Sequence, residues 1–256
     1  MKRMGEKMNT SVKSIVKSII KDNMKQLGFK SYSNLFYRQI HGDQGFKIYS
    51  NNMHYTIRFG CYPLCGGMTR DLGSFENHEI AHLLPSYRDE FIYAIPWGEL
   101  RTEEEMNEAW LNRKNKYTEI ASQLVNELNS YLLPQLLEIS SLQEALDFEK
   151  KCRTARIRYW NNNITAQEAE KLYNQHDAIY LWNWHLQMRN YEEAKLCLHK
   201  WIEELKEYSR QYNIECDNSF LEIPYNYLVE ENYDAIEKYI EEKENITLKS
   251  FSLKRR

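Results

Sequence analysis

Two cysteines and two histidines stand in the pattern Cys61-x3-Cys65-x12-His78-x3-His82. Thiolate and imidazole are the ligands that tetrahedral zinc prefers, and two of each complete a structural site. Gly66 and Gly67, directly after the second thiol, would suit the tight turn of a metal knuckle. The same stretch also suggests hydrolytic chemistry. In His78-Glu79-Ile80-Ala81-His82 a helix would set both imidazoles on one face, leaving Glu79 to polarise a metal-bound water. A catalytic zinc needs a third protein ligand. Glu103, Glu104 and Glu108 are the downstream candidates, because Glu105 is engaged as a helix cap.

The cysteine and histidine spacing resembles that of C2H2 fingers, and the histidine pair resembles the HExxH of zinc metallopeptidases. Neither pattern is complete. Thr69 stands where a finger carries an aromatic, although Phe75 could serve as the apolar plug, and Glu76, Asn77 and Glu79 make a poor DNA-reading helix. Pro85 leaves little room for the long buried helix of a metallopeptidase, and Ile80 and Leu84 face away from the histidines. The reading preferred here assigns neither metal ligands nor catalytic residues. Cys61 and Cys65 are then small buried hydrophobes at a strand end, and the histidines lie on the exposed face of a short helix. The alternative is a zinc protein, structural or hydrolytic, built on Cys61, Cys65, His78 and His82 with Glu79.

A second concentration of chemistry is aromatic: Tyr180, Trp182, Trp184 and His185. It is either an aromatic surface that docks a partner protein or a helix buried on several sides.

The elements around these groups divide the chain into two domains, residues 1–140 and 141–256. Val12, Ile15, Val16, Ile19, Ile20 and Leu27 share one side of a helix that Asn9, Thr10 or Ser11 would cap and Gly28 would end in a left-handed conformation. Runs at Leu35–Ile40, Phe46–Ser50 and Tyr55–Cys61, separated by His41-Gly42-Asp43 and Asn51-Asn52, predict an antiparallel meander. Phe91–Trp97 predicts a fourth strand. Thr102 with Glu105 forms a capping box, from which a stripe running from Met106 to Leu132 predicts one long helix across the sheet, ended or kinked by Pro134.

Leu27-Gly28-Phe29-Lys30, Leu35-Phe36-Tyr37-Arg38, the strand ending Arg58-Phe59-Gly60, and Tyr131-Leu132-Leu133-Pro134-Gln135-Leu136-Leu137 with Ser141-Leu142 resemble a bacterial family, domain-of-unknown-function family 4304, over about residues 9–148. The resemblance implies a fold and no mechanism. After Ser141 the chain reads as all-helical, with capping boxes at Ser141/Glu144 and Thr165/Glu168 and two antiparallel helices joined at Arg189-Asn190. Asn190-Tyr191-Glu192-Glu193-Ala194, echoed by Asn232-Tyr233-Asp234-Ala235, resembles the turn and second helix of a tetratricopeptide repeat.

Composition narrows the function classes. A formal charge of -3 with interspersed signs gives no reason to expect a nucleic-acid partner. Lys13, Lys17 and Lys21 interrupt the first apolar run, as a signal peptide would not, and no window of ~20 apolar residues invites a membrane span. Five cysteines at irregular spacing suggest reduced thiols and a cytoplasmic protein. P-loop, GxGxxG and GxSxG patterns are missing from the sequence. The expectation is an α+β fold followed by a helical, repeat-like region. Its function is that of a non-enzymatic module of a bacterial cell that binds another protein, with an immunity or antitoxin-like role as one form.

Overall fold

The structure, a computed structural model, describes residues 12–33, 35–39, 42–50, 55–68, 78–83, 102–105, 107–108, 116–161 and 164–253. It is helix-dominated α+β and divides into two units. One comprises Met1–Arg38, Gln44–Gly60 and Asn77–Ile139; the other comprises Gln39–Asp43, Cys61–Glu76 and Ser140–Arg256. Among the described residues, no helix is long and apolar enough to cross a membrane.

In the first unit, helix α1 (Val12–Gln26) buries Val12, Val16, Ile20 and Met24, one ridge at four-residue spacing. It ends as its glycine predicts. Gly28 takes φ +84, its N–H donates to Lys25 O at 3.1 Å, and Phe29 N donates to Met24 O at 2.9 Å, the paired bonds of a Schellman cap. The expected cap residues Asn9, Thr10 and Ser11 lie outside the described residues.

The three expected strands are present as β2 (Leu35–Gln39), β3 (Gly42–Ser50) and β4 (Tyr55–Pro63), the last two longer than expected; Ile40 lies outside the described residues. Gly42 and Asp43 belong to β3 and not to a turn; His41, Asn51 and Asn52 lie outside the described residues. Two short strands complete a five-stranded sheet in chain order: β1 (Lys30–Tyr32) and β5 (His78–Glu79). β1 pairs antiparallel with β2, Tyr32 opposite Leu35, and Ser33 at φ +52 supplies the left-handed corner of the turn. β5 pairs antiparallel with β4, Phe59 opposite His78 and Arg58 opposite Glu79. A short helix, α2 (Ile80–Leu83), follows it. The expected strand Phe91–Trp97 lies outside the described residues.

The Thr102/Glu105 capping box forms, with Thr102 N donating to Glu105 Oε2 at 2.9 Å and Glu105 N to Thr102 Oγ1 at 3.1 Å. The middle of the expected long helix, residues 109–115, lies outside the described residues. Helix α3 then runs through Tyr117–Glu127, a π-turn at Leu128–Leu132, and Leu133–Glu138. Pro134 therefore does not end the helix. It lacks an N–H and crowds the carbonyl of residue 130; the widened turn before it, where Leu133 N donates to Leu128 O, absorbs that misfit. Ile120, Ala121, Leu124, Leu128, Leu132 and Leu136 are buried, α1 packs on α3, and Tyr131 Oη donates to Leu83 O at 3.3 Å.

The second unit begins with α4 (Leu142–Trp160) and α5 (Ala166–Leu172), each opened by its expected capping box. The helix expected to continue from Thr165 is broken: a π-turn (Tyr173–Asp177) and a 3-10 turn (Ala178–Leu181) precede α6 (Trp182–Gln187). α7 (Tyr191–Tyr212), α8 (Ser219–Val229) and α9 (Tyr233–Ser250) follow. Leu186, Leu198, Ile202, Leu221, Leu228, Ile236 and Ile240 form the core, joined by Cys65 from the first half of the sequence.

Candidate functional site

The end of β4 continues in the helical unit as a 3-10 turn, Leu64–Gly66, held by hydrogen bonds at Leu64, Cys65 and Met68. Cys65 N donates to Gln187 Oε1 at 2.6 Å, and Gln187 Nε2 donates on to Glu244 Oε1 at 2.7 Å. Thr247, fully buried, donates to Leu64 O at 2.8 Å and accepts from Met68 N at 2.8 Å. Gly67 closes the turn at φ +63, and a Cβ there would meet Lys243 Cδ at 3.1 Å. Of the two glycines expected to shape a metal knuckle, Gly67 lets the chain lie close against Lys243 of α9, whereas Gly66 faces Met68.

This docking leaves a pocket of about 280 Å³. Cys61, Cys65 and Met68 form one side; Trp182, Asn183 and Trp184 of α6, Trp201 of α7, Phe220 of α8, and Tyr239 and Lys243 of α9 form others. Glu149 and Arg153, one turn apart on α4, complete the lining. They pair at 3.0 Å with both side chains only 5% exposed. Such burial costs several kcal/mol of desolvation before the pair's attraction offsets it. Arg153 also lies over Tyr180, 5.7 Å from its ring centre; Tyr180 meets Trp201 edge-on at 4.8 Å, and Trp201 meets Phe220 edge-on at 5.8 Å. The pocket thus has ring walls and a few converging polar groups, the usual make-up of a ligand site. Asn183 stands out among them. Its Oδ1 is sealed from solvent without a hydrogen-bond partner among the described residues, an arrangement that leaves the amide's polarity uncompensated.

The residues singled out by sequence are regrouped. Cys61 and Cys65 share this pocket with Tyr180, Trp182 and Trp184. Burial, then the Glu149 carboxylate, push the Cys61 thiol well above the ordinary range; burial, then Glu244, do the same for Cys65. Cys65 Sγ donates to Asn183 O at 3.0 Å.

The histidine half of the pattern belongs to the other unit, and the helix proposed for it is corrected. His78 and Glu79 form a strand, because their backbone pairs with Phe59 and Arg58; only Ile80–Leu83 is helical. His78 and His82 therefore do not stand one helical turn apart. Nor does His78 sit on an exposed face. It is 1% exposed, its ring tilted against Phe59 at 6.0 Å. The side chains of Glu79 and His82 lie outside the described residues. Glu103, Glu104 and Glu108 are exposed. Among the described residues, no three His, Cys, Asp or Glu side chains gather as a metal site.

The aromatic docking face is corrected as well. Trp182 and Trp184 are 5% and 4% exposed, so their indoles face inward. His185 is half-buried outside the pocket lining, and burial lowers its pKa below the usual histidine range. What sequence reasoning missed lies on α8, which carries two apolar stripes. Leu221, Pro224 and Leu228 are buried, whereas Phe220 and Ile223 stay half-exposed beside them. Tyr208, Tyr212, Ile214 and Val229 are half-exposed too, and Ile214 lines an open groove with Leu205 and Ser209. The signal was the all-apolar spelling Phe220-Leu221 and Ile223-Pro224, which one buried face cannot absorb.

No family model, no curated protein and no solved structure matches the chain.

Proposed function

We propose that this chain is a non-enzymatic module that binds another protein through the outward apolar side of its helical unit. One observation carries the reading. Of the twelve large hydrophobic side chains that stand exposed among the described residues, eight fall between Leu196 and Tyr233. Scattered single exposures need no explanation; we take this concentration along one stretch of the chain as the sign of an interaction surface.

The helix corners support the same reading. Arg189 and Glu231, at φ +61 and +54, turn the chain into α7 and α9. Asn190 and Asn232 follow with φ, ψ of -82, 70 and -82, 72. Asn190 N donates to His185 O and Asn232 N to Tyr227 O, at 2.8 and 2.9 Å, and Tyr191 stacks on Tyr233 at 5.4 Å. We read the two corners as a repeat-like pair of helix turns. Units that stack in this way bury a face against each neighbour and leave a side for a partner. An immunity or antitoxin-like role is one form of such a module, and family 4304 remains the kinship we propose for residues 9–148.

The test is affinity capture from extract of the source cell, comparing the native chain with Ile223→Asp and with Trp160→Ala, a change at an exposed tryptophan (70%) on α4. The native chain and Trp160→Ala should retain the same stoichiometric partner, and Ile223→Asp should lose it. Retention by Ile223→Asp would overturn the assignment of the surface.

A further inference from the structure

The pocket behind Cys65 has a charge as well as a shape. Glu149 and Arg153 pair with each other, so the lining carries one surplus positive charge, that of Lys243. The Lys243 stem lies over Gly67, where only a missing Cβ gives it room, and its ammonium sits 5.3 Å from the centre of the Tyr239 ring. It has no carboxylate within 4.0 Å among the described residues.

We propose that this pocket binds a small aromatic carboxylate. The ring system lies among Trp182, Trp201 and Phe220, and the carboxylate meets Lys243 Nζ. Size agrees with this guest. A cavity of ~150 Å³ takes a benzene ring, so about 280 Å³ accommodates two fused rings with a short acidic arm. Charge excludes the other guest that aromatic walls favour. Ring faces attract organic cations, but here a cation would meet the unpaired ammonium. Of the outward stripe of α8 the proposal uses only Phe220, which meets Trp201 edge-on; Ile223 is not part of the pocket lining.

Isothermal calorimetry on the full chain tests it with indole-3-acetate, its neutral amide, and the cation tryptamine, which share a ring system. The acid should bind saturably at one site per chain, with the amide and the amine weaker by roughly tenfold or more, since a hydrogen bond to a charged group contributes ~1.5–3 kcal/mol. Lys243→Gln, shown folded by circular dichroism, should bring the acid down to the affinity of the amide. Absence of saturable heat from all three probes with the folded native chain would overturn the proposal. So would an amide or amine that binds as tightly as the acid, or a Lys243→Gln variant that keeps the preference.

Discussion

Helices α6 and α8 are both rich in large apolar side chains and use them in opposite ways. α6 turns Trp182, Trp184 and Leu186 inward, against α7 and the Leu64–Gly66 turn. α8 buries one stripe and leaves Ile223 half-exposed, with Phe220 covered only in part by Trp201. Aromatic content alone therefore does not distinguish core from contact surface. What distinguishes them is whether a distant part of the chain arrives as a cover, as Cys65 does for α6 through a hydrogen bond spanning 122 positions.

The contrast can be broken by substitution. Trp182→Ala should have the largest effect, a loss of ~3–5 kcal/mol of stability in urea unfolding, because the indole is part of the core cluster. Gly67→Ala strikes the cover itself. A left-handed residue with a Cβ costs ~1–2 kcal/mol, and this one also meets Lys243; Gly66→Ala, whose nearest neighbour is Met68 Cγ at 3.5 Å, should cost much less. Equal effects at the two glycines would contradict this account of the turn.

Ser141→Ala should act more weakly, lowering Tm by roughly 2–4 °C through loss of the cap on α4, the helix that supplies Glu149 and Arg153. Its pH dependence has a definite sign. The Glu144 carboxyl is held below the usual range, chiefly by the backbone N–H of Ser140 and then by its hydroxyl, and Glu168 likewise, chiefly by the backbone N–H of Thr165. A folded pKa below the unfolded one gives stability that is complete above the ordinary carboxylate range and lost as pH falls through it towards the folded value. Removing both carboxyls with Glu144→Gln and Glu168→Gln should flatten that acid limb in Tm-versus-pH measurements. At the other extreme, Ile223→Asp should change stability by no more than ~0.5 kcal/mol. A large loss there would mean that the outward stripe of α8 is core.

Features made by neighbours in sequence were legible. The boxes at Thr102, Ser141 and Thr165 and the left-handed Gly28 need only bonds within a few residues, and each forms as its sequence suggests. The α+β class was legible from periodicity, but the assignment of Gln39–Asp43 and Cys61–Glu76 to the same unit as Ser140–Arg256 was not, because a cut at one point of the sequence cannot express it. His78-Glu79 was not, because Phe59 and Arg58 on β4 supply the pairing that makes it a strand, and no local pattern announces them. Trp182 and Trp184 failed for a related reason: an amphipathic ring suits core and surface equally, and the deciding cover comes from more than a hundred residues away. Their meeting with Cys61 and Cys65 in one pocket is a tertiary fact that spacing could not supply.

The most direct test of the central claim is hydrogen–deuterium exchange on the full chain, alone and with the partner captured from the source cell. The account predicts new protection concentrated in Ser219–Val229 and the end of α7 near Tyr212 and Ile214. Protection confined to the sheet unit, with α8 exchanging as freely as before, would contradict it.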